Sequence, residues 1–256
     1  MAKRKKKPTV GKTLLVILVV LASVILAMGL FYNYYNKPSF KHYEAFGINL
    51  PVPYTIHGID VSHHQDNISW KEVKKMEIDG IKIGFAFIKA TEGADLIDRN
   101  FGRNWAKAEL HQITKGAYHF FNTGSNPALQ AKNFIQRVKL KPGDLPPVLD
   151  IEQNNGVSKL LIQQRVKEWL QIVEKEYKTL PIIYTNIDFY NRYLSPLFDN
   201  YPIWIAHYFA PGKPRVNRNW TFWQHSETGH VNGIVSYVDF NVFNGDSAAF
   251  KALLLK

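Results

Sequence analysis

Hydrophobic and polar positions follow three regimes along the chain. The first is a run of twenty residues, "TLLVILVVLASVILAMGLFY" from Thr13 to Tyr32, without a single charge. As a helix it rises about 1.5 Å per residue and spans roughly 30 Å, the hydrocarbon thickness of a bilayer. The second, residues 33–55, contains Pro38, Pro51 and Pro53 with no clear periodicity and reads as a linker. From residue 56 onward a third regime begins, in which short apolar runs alternate with amphipathic ones.

In that region "IHGIDVS" (56–62) reads as a strand and "SWKEVKKMEIDG" (69–80) as a helix closed by Gly80. "KIGFAFIKAT" (82–91), "KGAYHFF" (115–121), "PPVLDIE" (146–152) and "LPIIYTN" (180–186) read as further strands. Between them lie helical patterns at 98–112, at 127–139 with Pro127 in its first turn, and at 157–177. The last of these carries Leu160, Leu161, Val166, Trp169, Leu170 and Val173 along one stripe. After residue 186 the helices thin out. "YPIWIAHY" (201–208), "WTFWQHS" (220–226) and "SYVDFNVF" (236–243) read as strands joined by loops.

Repeated strand–helix units predict parallel strands with right-handed crossovers. Eight strands in about 200 residues point to an α/β barrel whose later helices are lost, with an open doubly wound sheet as the alternative. No glycine-rich phosphate loop follows any strand, so that sheet's usual nucleotide site is not indicated.

Charge sharpens the reading of the front end. The first twelve residues hold six of the 32 Lys and Arg and no acid, and Lys3 to Lys7 closely precede the apolar run. By the positive-inside rule this basic tail, 1–12, stays in the cytoplasm and the body lies outside. Tyr32, Tyr34 and Tyr35 would then form an outer aromatic belt. A cleaved signal peptide is the rival, but its apolar core is usually about 7–15 residues, and "ILAMG" is a poor cleavage site. The rest of the chain, with 26 basic against 21 acidic residues, is only mildly basic, and no nucleic-acid recognition motif is present. There is no cysteine, hence no disulfide framework and no thiolate metal site.

In a strand–helix barrel the site lies at the carboxyl ends of the strands. Asp60 on the first strand, Asp150 and Glu152 on the fourth and Asp239 on the last fall at or near such ends. A lone acid there is more often a helix cap, but four at matching ends point to one cleft. Tyr118, Tyr184, Trp204, Tyr208 and Trp223 lie beside them and offer apolar faces to sugar rings, whereas Trp169 and Phe87 read as core. A carboxylate pair in an aromatic cleft suits glycoside hydrolysis: one acid protonates the leaving oxygen, and the other stabilises or attacks the positive carbon. "DVSHH" (60–64) raises a metal site, but adjacent His63 and His64 point oppositely in a strand and no third ligand follows. Neither a metal nor another cofactor is implied.

The ordered set "GIDVSHHQDNISW", "FAFIKATEG", "GAYHFF", "PPVLDIE", "PIIYT", "WIAHY", "WQHS" and "VDFNVFNG" resembles glycoside hydrolase family 25, the lysozymes of the Chalaropsis type, over roughly residues 56 to 250. The resemblance implies an irregular TIM-like barrel of eight strands and about five helices, here preceded by a transmembrane helix. It also implies an N-acetylmuramidase that cleaves the β-1,4 bond between N-acetylmuramic acid and N-acetylglucosamine in peptidoglycan strands, with net retention. By matching motifs Glu152 is the general acid and Asp150 the second carboxylate of the pair. Asp60 and Asp239 complete the acidic cluster, and the five aromatics line the groove. Lys89 and Glu92 lie in a family motif as supporting groups.

Many family members carry cell-wall-binding repeats after the barrel. None follows the last motif here, and with the apolar segment in front this favours a tethered enzyme trimming nearby wall. The alternatives are a non-catalytic glycan-binding scaffold and a metal-dependent deacetylase of the same polymer. On mechanism, residues two apart in a strand are separated by about 6.6 Å, between the spacings of nucleophilic and inverting pairs. A route in which the substrate's own acetamide attacks the sugar needs no close pair and is favoured, with Asp150 or Asp239 orienting the amide. The D-x-x-D-x-D-x-E signature of chitinases that use this chemistry is incomplete, since Val148 stands two residues before Asp150.

Overall fold

The computed structural model describes residues 10–35 and 39–256. These belong to two units, Met1–Ser39 and Phe40–Lys256. The first is the helix α1, Val10–Tyr35. Its stretch Gly11–Leu30 is long and apolar enough to cross a membrane, and none of it is buried. Lys3 to Lys7 lie outside the described residues, as do the side chains of Tyr32, Tyr34 and Tyr35.

The second unit does not start with a linker. Phe40–Tyr43 and Ile48–Pro51 pair antiparallel as a hairpin, turned at Gly47 with φ of 66°. Phe46, Ile48 and Leu50 are buried, and Phe46 meets the Phe240 ring edge-on at 5.4 Å. The hairpin is therefore part of the domain. Its strands have four residues each, too few for a period to stand out between prolines.

Eight strands close a barrel: β1 (His57–Val61), β2 (Ile81–Glu92), β3 (Thr114–Phe120), β4 (Val148–Asp150), β5 (Ile182–Asn186), β6 (Ile203–Ala206), β7 (Phe222–Gly229) and β8 (Val238–Phe243). Each pairs with its neighbour in chain order, and β1 pairs with both β2 and β8. The strands are parallel except β8, which runs antiparallel to β7 and β1. Only residues 230–237 separate β7 from β8, too few for a parallel crossover, so the chain turns back and the expectation of parallel strands fails there.

The helices are α2 (Trp70–Lys75), α3 (Phe101–Leu110), α4 (Pro127–Arg137), α5 (Lys159–Tyr177) and α6 (Ser247–Leu253). Two local differences from the sequence reading have clear causes. Helix α2 ends at Lys75 because Asp79 and Gly80, with φ of 51° and 81°, form a tight turn pairing Glu77–Ile78 with Ile81–Lys82. Asp-Gly is a strong hairpin signal. The buried stripe of α5 enters through Ile162, leaving Leu160 67% exposed and Leu161 38%. Helix α4 starts as expected, with Asn126 accepting the Leu129 N–H at 3.0 Å and Pro127 behind it.

Strand alternation sorts the core. Phe85, Phe87, Leu145, Val148, Ile182, Trp204, Phe222 and Phe243 fill the barrel, while Ala86, Ile88, Leu149, Ile183 and Trp223 face the surrounding layer. Phe87 stacks on Trp204 at 4.3 Å and meets Phe222 at 5.1 Å. Space for these rings comes from glycine: a Cβ on Gly116 would lie 2.7 Å from Phe87 and on Gly58 2.4 Å from Phe85. The aromatic plug closes the barrel from below and gives the upper mouth a firm floor.

Candidate active site

A cavity of about 500 Å³ opens at that mouth, lined by Asp60, Asp150, Glu152, Asp239, Lys89 and Tyr118 among others. Asp60 comes from β1, Asp150 ends β4 and Glu152 follows it. Asp239 lies at the start of β8, not its carboxyl end. Because β8 is reversed, its amino end reaches the same mouth, where Asp239 pairs in register with Asp60. All four acids foreseen from the sequence thus open onto one space.

Beneath Asp60 lies a directed hydrogen-bond network. Its Oδ2 accepts from Asn241 Nδ2 at 2.7 Å and from Gln224 Nε2 at 2.9 Å. Trp204 Nε1–H donates to Asn241 Oδ1 at 2.7 Å. An indole N–H only donates, so it turns the Asn241 carbonyl toward itself and the amino group toward Asp60. Tyr184 and Tyr208 hydroxyls donate to Gln224 Oε1 at 2.8 and 2.7 Å, orienting that amide likewise. Burial raises Asp60 above the ordinary carboxylate value, and the two amide donors on its buried oxygen partly offset that rise.

Charge then propagates through the cluster. Burial, the negative charge of Asp60 and a hydrogen bond to it push Asp239 up to about 9, so Asp239 holds a proton at neutral pH. Burial and the charge of Glu152 raise Asp150 well above the carboxylate range, with Lys89 opposing. Glu152 is raised by burial and by Asp60, with a hydrogen bond from Asn186 opposing. Asp150 Oδ1 is buried without a hydrogen-bond partner. Lys89 Nζ is held by Glu92 Oε2 at 2.7 Å, which places a cation on the wall.

The aromatic expectations divide. Tyr118, Tyr184 and Tyr208 line the cavity. Trp204 reaches it only as floor, 2% exposed and packed against Phe87 and Tyr184. Trp223 does not line it. It is fully buried outside the barrel wall against Phe40, Tyr54 and Trp220, with Nε1 donating to the His207 carbonyl at 2.9 Å. Along β7, Phe222 and Gln224 share the inner face, so Trp223 must point outward. The same parity exposes what sequence reasoning missed: Gln224 is in step with Phe222, and Asn241 with Asp239. Among the described residues no group of three His or acidic side chains is placed to hold a metal.

Residues 59–234 match the model of glycosyl hydrolases family 25. The chain belongs to this family. Among its relatives is Lysozyme M1 of Streptomyces globisporus, 36% identical over 213 residues, covering 77% of this chain and 71% of that protein. An uncharacterized Escherichia coli K12 protein, YegX, is 42% identical over 222 residues, 87% of this chain and 82% of its own. A family 25 glycosyl hydrolase from Bacillus anthracis superposes with a TM-score of 0.74 at 32% identity, over 80% of this chain and 96% of that one. A bacterial lysozyme from Streptomyces coelicolor gives 0.70 at 34%, over 78% and 96%. The family 25 chain is thus a glycoside hydrolase, and the acid-lined mouth is its candidate active site.

Proposed function

We propose that this glycoside hydrolase is a membrane-anchored N-acetylmuramidase. It cleaves the β-1,4 bond between N-acetylmuramic acid and N-acetylglucosamine in peptidoglycan, outside the cytoplasmic membrane, with net retention. The observation that carries the reading is the convergence of Asp150 and Glu152 with Asp60 and Asp239 on one cavity. Family membership and the likeness to a Streptomyces lysozyme support the wall polymer as substrate. The apolar helix α1 supports the anchor.

Buried and mutually repelling, Asp150 and Glu152 hold one proton between them. Burial raises Asp150 well above its ordinary value and Lys89 opposes that rise. The substrate's amide N–H, donating to Asp150, adds to Lys89 in favouring its ionised form and puts the shared proton on Glu152 in the bound complex. Glu152 gives it to the bridging oxygen as the bond to the anomeric carbon breaks, the electron pair staying on oxygen. The carbonyl oxygen of the sugar's 2-acetamido group closes on the anomeric carbon, while Asp150 Oδ1, the unpartnered atom, accepts the amide N–H. Water then attacks the anomeric carbon from the face the leaving oxygen vacated, the bond to the acetamide oxygen breaks with its electron pair returning to the amide, and a proton of the water passes to Glu152. Asp60 and its amide donors hold the negative field beneath the developing positive charge.

The test is Glu152→Gln assayed on purified peptidoglycan, with mass spectrometry of the released muropeptides. General acid catalysis supplies about 10²–10⁴-fold, so turnover falls at least a hundredfold with the fold retained. Full residual activity would sink the assignment. New reducing ends on N-acetylmuramic acid identify the bond, and unchanged activity in a strong chelator excludes the deacetylase.

A further inference from the structure

Trp223 does not line the cavity, yet it holds the start of a loop that does. Its indole N–H donates to the His207 carbonyl, and the His207 N–H donates to the Gln224 carbonyl at 3.1 Å. His207 follows β6 and opens the loop 207–215 at the barrel mouth. A third bond closes that loop: the Arg215 N–H donates to His207 Nδ1 at 3.1 Å. A backbone N–H only donates, so Nδ1 carries no proton and the imidazole is neutral, with its hydrogen on Nε2. Burial and the Arg215 charge hold His207 below its ordinary value of 6.5, which keeps the neutral form at neutral pH.

We infer that His207 is a positioning residue: by stapling the loop 207–215 it holds the Tyr208 hydroxyl on Gln224, and through Gln224 it keeps a donor aimed at Asp60. The inference rests on Asp60 serving the hydrolysis. Tyr208 is the next residue after His207; its hydroxyl donates to Gln224 Oε1 at 2.7 Å, and Gln224 Nε2 donates to Asp60 Oδ2 at 2.9 Å. Tyr208 belongs to no strand, so no ladder fixes its backbone, and the bonds of His207 do. The loop is also strained. Phe209 has φ of 57° and is the one aromatic among the described non-glycine residues at positive φ. Such a backbone costs a bulky residue free energy and persists only where its surroundings enforce it. The Phe209 ring is fully exposed and gains no packing in return. Enforcement comes from both sides: His207 before it, and after it buried Ala210, whose carbonyl accepts the Gly212 N–H at 2.9 Å.

Four variants of the full chain in detergent test this: His207→Leu, His207→Asn, Tyr208→Phe and the double variant His207→Leu with Tyr208→Phe. The readout is kcat for muropeptide release at saturating peptidoglycan. Leucine cannot accept the Arg215 N–H, whereas the asparagine Oδ1 stands near the place of Nδ1 and can. His207→Leu is expected to lower kcat about five- to tenfold, the worth of roughly one hydrogen bond in the transition state. His207→Asn should recover most of that loss. Because His207 acts through Tyr208, the double variant should be no slower than Tyr208→Phe alone. Thermal midpoints above the assay temperature show that each variant is folded. An unchanged kcat in His207→Leu, equal losses with leucine and asparagine, or a double variant slower than Tyr208→Phe overturns the inference, while wild-type activity keeps the muramidase reading standing. Wild type releasing no muropeptides overturns that reading and the inference with it.

Discussion

Asp239→Asn separates a carboxyl kept for its proton from one kept for its charge. In the folded chain Asp239 titrates at about 9, against 3.8 as the ordinary value. Between these limits the unfolded chain has released a proton that the folded chain still holds. Stability therefore falls as pH rises through this window, by at most about 1.4 kcal/mol per pH unit. From pH 5 to pH 8 the ceiling is about 4 kcal/mol, and sharing the proton with Asp60 lowers the working figure to about 2 kcal/mol. Asparagine keeps an N–H to donate to Asp60 and has no proton to lose. The variant should gain stability over wild type as pH rises, by about 2 kcal/mol from pH 5 to pH 8, or roughly 4–8 °C in Tm. Urea unfolding of both proteins at several pH values measures the gap, and slopes from acids that do not interact with Asp239 cancel in the difference. A gap flat across pH 5–8, or one that widens toward acid, refutes the proton assignment.

The same logic yields three further expectations. Trp204→Phe removes the N–H that orients Asn241 and leaves a buried carbonyl unpaired, so unfolding free energy should drop by about 1–3 kcal/mol and turnover with it; unchanged turnover would show that the network does not serve Asp60. Phe46→Ala empties a fully buried site where the hairpin meets Phe240 and should cost about 3–5 kcal/mol in denaturant unfolding; a loss under 1 kcal/mol would return residues 40–51 to linker status. His225 is buried with neither ring nitrogen partnered and is held down to about 3 by burial. The unfolded chain takes up its proton below pH 6.5 and the folded chain does not, so stability is lost as pH falls from about 6.5 toward 3. In His225→Phe that acid limb should be shallower, and an identical limb in circular dichroism titrations would contradict the assignment.

The four acids were legible because each stands beside a strand pattern, and a strand's period of two told which neighbours share a face. Asp239 was found for an incomplete reason: it reaches the mouth from the amino end of a reversed strand, and direction is not written in a hydrophobic pattern. Trp223 shows the opposite error. An aromatic near a strand end looks like a sugar platform until parity with Phe222 turns it outward. Gln224 and Asn241 escaped notice because a neutral amide carries no signal until its partners are known.

Local sequence alone determined the apolar helix α1, the alternation of strand and helix, Trp169 and Phe87 as core, and the Asp150–Glu152 pair. These rest on short-range rules: an uncharged run long enough for a bilayer, a period of two, a period of 3.6. Tertiary structure decided what depends on residues far apart in the chain. Asp60 meets Gln224 and Asn241 across separations of 164 and 181 residues, and their donors lower Asp60 relative to its neighbour Asp239, which is pushed up to about 9. Burial and hydrogen bonding set the proton's place, and neither exists until the barrel closes.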